Sequence, residues 1–225
     1  KEKKIVAYHE SGHALLAETT VGAKKVSKVS IVPRGLAALG YTLNKPEEDK
    51  FMMQRHELWA EVDVLLGGRA AEEVFIGEIS TGAGNDLERA TDIIKSMVQT
   101  YGMTDVAGLM VLEKSRQSFL GGAQQSTREY SDKMAQDSDN FIKVSLDEHY
   151  AEVVARLEEY RDAIEDMVAL LYKKENITGE EVRDIITTFE EKNGIDSKVD
   201  TIVDEIKAEL QEDAKMVKDS TSDEK

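Results

Sequence analysis

The string His9-Glu10-Ser11-Gly12-His13 carries the densest chemistry in the chain. In a helix, residues four apart share a face, so both imidazoles can point at one metal ion. Neutral imidazole nitrogens suit Zn²⁺ at about 2.0–2.1 Å. Glu10 lies one residue round from His9, where it can reach a metal-bound water without being a ligand itself. The pattern offers a Lewis acid, a water of lowered pKa and a proton shuttle within one helical turn. With 4 His and 45 acidic residues among 225, chance supplies such a string roughly 0.014 times. The flanks Ile5-Val6-Ala7 and Ala14-Leu15-Leu16 place it in an apolar helix, where two unpaired imidazoles would need another explanation.

Two histidines leave a catalytic zinc one protein ligand short. Leu16 and Thr19 stand where a longer histidine motif needs Gly and His. His56, in Gln54-Arg55-His56-Glu57, and His149, in Asp147-Glu148-His149, sit in polar surroundings and are expected to be solvated. A carboxylate is therefore expected to complete the site, and Glu72, Glu73 and Asp86 are the alternatives. There is no Cys, which excludes thiolate zinc sites, cysteine nucleophiles and disulfides together. A net charge of −16 argues against nucleic acid as a partner, because phosphate contacts need clustered Lys and Arg. No apolar run approaches the ~20 residues of a membrane span.

The elements that must position these residues are mostly helical, since only two prolines interrupt a chain rich in Ala, Glu, Leu and Lys. A first helix is expected over 2–19. Val26–Val32 alternates apolar and polar, the period of a half-buried strand, and Gly40–Leu43 can return as a second. A helix over 50–75 should break near Gly67-Gly68, and a glycine-rich loop follows from Gly77 to Gly84. Asn85, with Glu88 three residues on, resembles a capping box opening a helix to about Tyr101. Residues 102–125 read as loop with a possible strand at Leu109–Leu112. The stretch 127–174 reads as helical, with a bend near 159–162. Thr178-Gly179-Glu180-Glu181 is a second capping box, opening a helix to about Lys192. A weak helix over 197–210 and then disorder are expected at the acidic end. The fold class is thus mainly α, with a small β-sheet beside the helix that carries the histidines and a helical hairpin toward the C-terminus.

Several blocks beyond the histidine string occur in a distinctive order. They are Ala7-Tyr8-His9-Glu10-Ser11-Gly12-His13-Ala14, Val29–Gly35, Leu39–Thr42, Leu66–Glu73, Ser80–Leu87, Ala90-Thr91 and Tyr101-Gly102-Met103. Over residues 7–103 the chain resembles the peptidase domain of FtsH-type membrane-bound ATP-dependent zinc metalloproteases. The resemblance implies that His9 and His13 bind one Zn²⁺, that Glu10 is the catalytic base, that Asp86 is the third ligand, and that Glu72 stands behind the ligands. It implies a homo-hexamer that degrades unfolded polypeptides. It also implies a parent protein in the bacterial inner membrane facing the cytoplasm, or in an organellar membrane, anchored by segments absent here. The loop 34–40 is one residue longer than is usual for the family. The chain contains no Gly-x-x-x-x-Gly-Lys-Ser/Thr, so ATP would act only through a missing ATPase module.

The chain starts inside a helix without an initiator Met, and is expected to be a fragment of a longer protein. Residues 1–195 are expected to form the zinc metallopeptidase domain, with a catalytic portion over residues 1–125 and a C-terminal helical portion over residues 126–195. Residues 196–225 are expected to form an acidic, partly disordered tail. The expected reaction is peptide-bond hydrolysis, with strand 26–32 as a template for an extended substrate. The competing readings are a ring-assembly module built on 127–192 and a zinc hydrolase of non-peptide substrates.

Overall fold

The helix bearing the His-Glu string, α1 (Glu2–Thr19), is uninterrupted in a computed structural model that describes residues 2–33, 40–44, 52–112 and 130–195. From Ala7 to Glu18 every residue except His9 is buried. A helix covered on all sides shows little amphipathic periodicity, and it lies at the centre of the molecule rather than on its surface.

Its main neighbour is α2 (Arg55–Ile76), which runs straight through Gly67-Gly68. The expected break is therefore a misreading of what those glycines do. A Cβ on Gly12 would lie 2.3 Å from the Gly67 carbonyl oxygen, and one on Gly67 would lie 2.8 Å from the Gly12 carbonyl oxygen. The two backbones touch at this crossing, and only glycine fits there. The loss of helix propensity, about 1 kcal/mol per glycine, is offset by close packing of the two central helices. Residues 50 and 51, where this helix was expected to begin, lie outside the described residues.

The strands β1 (Val26–Ser30), β2 (Tyr41–Asn44) and β3 (Asn176–Thr178) form an antiparallel sheet in the order β2-β1-β3. Val29 lies opposite Thr42 on one side and Ile177 on the other. Both edges of β1 are thus paired, which corrects the expectation that it could template a substrate: an added strand needs an open edge. β1 also stops at Ser30, and the Ile31 amide bonds to the Glu175 carbonyl at 3.0 Å. No strand forms at Leu109–Leu112, where Leu109, Met110 and Val111 are exposed and the Leu112 amide bonds to the Gln99 carbonyl.

Helix α3 (Gly84–Gln99) begins one residue before the expected cap. Ala83 occupies the cap position without a side-chain bond, so Asn85 does not cap, and the first turn instead presents Asp86. Ala90, Ile94, Met97 and Val98 form its buried stripe. Helices α4 (Asp132–Glu159) and α5 (Arg161–Lys174) meet at Tyr160, inside the expected bend. α4 lies along α2, and α5 along α1. The Thr178 box forms as expected: Thr178 Oγ1 accepts from the Glu181 amide at 3.2 Å, and Glu181 Oε2 accepts from the Thr178 amide at 2.9 Å. It opens α6 (Gly179–Asn193).

Leu15, Leu66, Ile94, Leu157, Ile164 and Leu171 sit in one continuous core. The buried Glu18 carboxylate ties α1, β1 and α6 together, with Oε1 accepting from the Val26 amide at 2.7 Å and from Arg183 at 3.0 Å. Among the described residues no helix is long and apolar enough to cross a membrane. The loop 34–39, the segment 113–129 and the acidic end from 196, with its expected weak helix, lie outside the described residues.

Candidate metal centre

His9 and His13 project from one face of α1 toward α2 and the start of α3. Their Nε2 atoms are 3.0 Å apart, and the rings meet edge to face with centroids 4.7 Å apart. Asp86 Oδ2 lies 3.4 Å from His9 Nε2 and 3.5 Å from His13 Nε2. The structure therefore brings together two residues from one helical turn and a third from the first turn of a distant helix.

The other ring nitrogens fix the tautomers. His9 Nδ1 is 2.8 Å from Glu72 Oε1, and His13 Nδ1 is 2.7 Å from the Val64 carbonyl oxygen. A carboxylate and a carbonyl only accept, so both Nδ1 atoms carry hydrogen. In the neutral rings, two Nε2 lone pairs and one carboxylate oxygen then converge with no donor among them. Only a positive charge reconciles them. In the protein alone a proton on His9 serves: burial would lower its pKa, but hydrogen bonds to Asp86 and Glu72, helped by the Glu10 charge, push it up to about 9. Burial would likewise raise Asp86, yet its bonds to His13 and His9 hold it well below the ordinary carboxylate range.

Gly68 makes room for that charge. A Cβ there would lie 2.5 Å from His13 Nε2 and 2.7 Å from His9 Nε2, inside the space the three donors share. A bare side of α2, two imidazole nitrogens and one carboxylate oxygen constitute a donor set that suits Zn²⁺.

Glu72 is 1% exposed and does not pair with Arg69. Besides holding His9, its carboxylate accepts from the Ser80 amide at 2.6 Å and from the Ser80 hydroxyl at 3.0 Å. Burial raises its pKa, but the bonds to His9 and Ser80 bring it below the usual value. Glu72 thereby pins the loop leading to Asp86 against His9 and fixes the orientation of the His9 ring. Glu73 points away, is exposed and accepts from Tyr150. His56 is exposed, as expected. His149 is not solvated as expected: its Nδ1 is 2.5 Å from Asp63 Oδ1, and its ring stacks on Trp59 at 4.5 Å. The run of charged neighbours hid a contact made across 86 residues.

Glu10 is 7% exposed and lies beside the histidines, with Oε2 accepting from the Thr42 hydroxyl at 2.8 Å. Sequence reasoning assigned no role to Thr42, Ser80 or the Val64 carbonyl. Thr42 and Ser80 stand in blocks that carried the family resemblance, whereas a backbone carbonyl leaves no signal in residue type. All these groups line a cleft of about 730 Å³ reaching from β2 to the start of α3.

A model of peptidase family M41 matches residues 1–185. The chain is 64% identical over 199 residues to an ATP-dependent zinc metalloprotease FtsH of Helicobacter felis, covering 88% of this chain and 31% of the relative. It is 59% identical over 199 residues to an ATP-dependent zinc metalloprotease FtsH of Sulfurovum, covering 88% and 30%. It is 42% identical over 193 residues to one of Thermotoga maritima, covering 85% and 32%. The chain spans about a third of the length of these curated relatives.

Proposed function

The chain belongs to peptidase family M41, and from that premise we propose that it is the zinc-dependent endopeptidase module of an ATP-dependent protease. The observation that carries the reading is the convergence of His9 Nε2, His13 Nε2 and Asp86 Oδ2 to within 3.5 Å of one another. These three atoms would hold one Zn²⁺ per chain. The bound ion supplies Lewis acidity and a water of lowered pKa. Glu72 and the Val64 carbonyl keep the two imidazoles in the tautomer that leaves Nε2 free. Glu10 takes the proton from the attacking water and hands it to the leaving amine.

With β1 enclosed, the outer edge of β2 is the sheet edge beside Glu10, and an extended polypeptide adding there would be read mainly through its backbone. That mode suits unfolded chains of varied sequence. Residues 1–195 would be the folded peptidase unit, with its catalytic portion over residues 1–125, and 196–225 an acidic tail. The hexamer, the membrane anchor, the inner-membrane location facing the cytoplasm and the coupling to ATP belong to this proposal. The last is assigned to sequence beyond this chain, which carries no phosphate-cradling motif.

The test is casein hydrolysis with zinc content measured in parallel. Glu10→Gln should abolish hydrolysis and keep the zinc, whereas Asp86→Asn should lose the zinc. A chelator should stop hydrolysis, and added zinc should restore it. Full zinc affinity in Asp86→Asn together with loss in Glu72→Gln would overturn the ligand assignment. Casein left intact by the zinc-loaded chain would favour a hydrolase of other substrates or a pure assembly module.

A further inference from the structure

The Glu10 side chain is held from outside its own helix. The strand that crosses it is β2, preceded by Gly40. Thr42 Oγ1 lies 2.8 Å from Glu10 Oε2 and 3.3 Å from the Glu10 carbonyl oxygen. A hydroxyl has one proton to donate, and the shorter contact to the charged oxygen takes it. Gly40 leaves room on the other side: a Cβ there would lie 3.0 Å from Glu10 Oε1, 3.0 Å from Glu10 Cγ and 2.5 Å from Val6 Cγ1. One carboxylate oxygen is thus hydrogen-bonded to the strand, and the other lies where any side chain at position 40 would crowd it. Thr42 is itself fixed by its place opposite Val29 in the sheet.

We propose that Thr42 is a positioning residue for the hydrolytic step: its hydroxyl holds the Glu10 carboxylate in the rotamer that faces the attacking water, and so ties the general base to the strand bordering the substrate cleft. The proposal rests on the reading of Glu10 as base. Without the hydroxyl, Glu10 keeps its place in α1 but loses the bond that selects one side-chain orientation among several. Substrate binding along the β2 backbone does not need the hydroxyl, so the loss falls on turnover and not on binding.

The experiment compares Thr42→Val, which keeps shape and strand propensity, with Thr42→Ser, which keeps the hydroxyl, and with Glu10→Gln. The probe is a fluorogenic peptide. Readouts are kcat, KM, zinc per chain, thermal unfolding, and the position of the Glu10 carboxylate in crystals of each variant. We expect Thr42→Val to lower kcat about 10- to 100-fold with KM within about twofold. Zinc should remain at one per chain, and the Glu10 carboxylate should leave its place. Thr42→Ser should stay within about threefold of the parent. Should Thr42→Val unfold, Thr42→Ala serves in its place. Equal kcat in Thr42→Val and the parent, with Glu10→Gln inactive, overturns the role of Thr42 and leaves the base assignment standing. An active Glu10→Gln overturns both.

Discussion

If His9, His13 and Asp86 hold zinc as proposed, Gly68→Ala should abolish metal binding and change little else. In an exposed helix the change would be worth about 1 kcal/mol of stabilisation. Here the new Cβ would start 2.5 Å from His13 Nε2, 2.6 Å from His9 Cε1 and 2.7 Å from His9 Nε2. Ordinary contact begins near 3.4 Å, so an imidazole must retreat by about 0.9 Å, the difference of 3.4 and 2.5. Zinc–nitrogen bonds tolerate only about ±0.2 Å around 2.0–2.1 Å. A shift several times that tolerance breaks at least one ligand bond, and affinity should fall at least about 100-fold. The methyl also fills the space where the ion would sit. Gly84→Ala is the control, because a Cβ at that position meets nothing within 4 Å although Asp86 is two residues away. The assay is dialysis against a zinc buffer followed by metal analysis, with circular dichroism to follow helix content. Gly68→Ala should retain its helicity and lose zinc, and Gly84→Ala should retain both. Parental zinc affinity in Gly68→Ala would refute the argument that the three donors share the space above this glycine.

Two further predictions concern the scaffold. Glu18→Ala should destabilise the fold by about 2–4 kcal/mol in urea denaturation, because it leaves the Val26 amide unpaired and Arg183 without its carboxylate; a loss under about 0.5 kcal/mol would mean that the three elements are held by packing alone. His149→Gln should cost about 1 kcal/mol at pH 6 and progressively less at higher pH. The bond to Asp63 raises the His149 pKa in the folded state. Its contribution is therefore complete below the unfolded value near 6.5 and disappears as pH rises through the folded one. Urea midpoints of both proteins at pH 6 and pH 9 check this, and a difference that grows with pH would reverse the sign of the argument.

Local geometry explains which regions of the molecule are legible in the residues. The i, i+4 spacing of His9 and His13 already puts both rings on one face of any helix. The box at Thr178 and Glu181 involves atoms three residues apart, and it forms as the pattern requires. The alternation over Val26–Ser30 likewise reports a strand, because period two is a property of the strand itself. What tertiary structure decided depends on contacts between distant segments. Gly67-Gly68 reads as a helix break until Gly12 is seen against it, and then it is the crossing that lets α1 and α2 touch. Asp86 and Glu72 are both plausible third carboxylates in the sequence. Only the fold sets Glu72 on His9 Nδ1 and Asp86 between the two Nε2 atoms. The pairing of β1 on both sides comes from β3, nearly 150 residues later in the chain, and no pattern within 26–32 encodes it. Thr42 over Glu10 and Asp63 against His149 belong to the same class. Residue type and spacing specify what a segment can do within a turn or a strand, whereas burial and partner choice are settled by whichever distant surface the core packs against it.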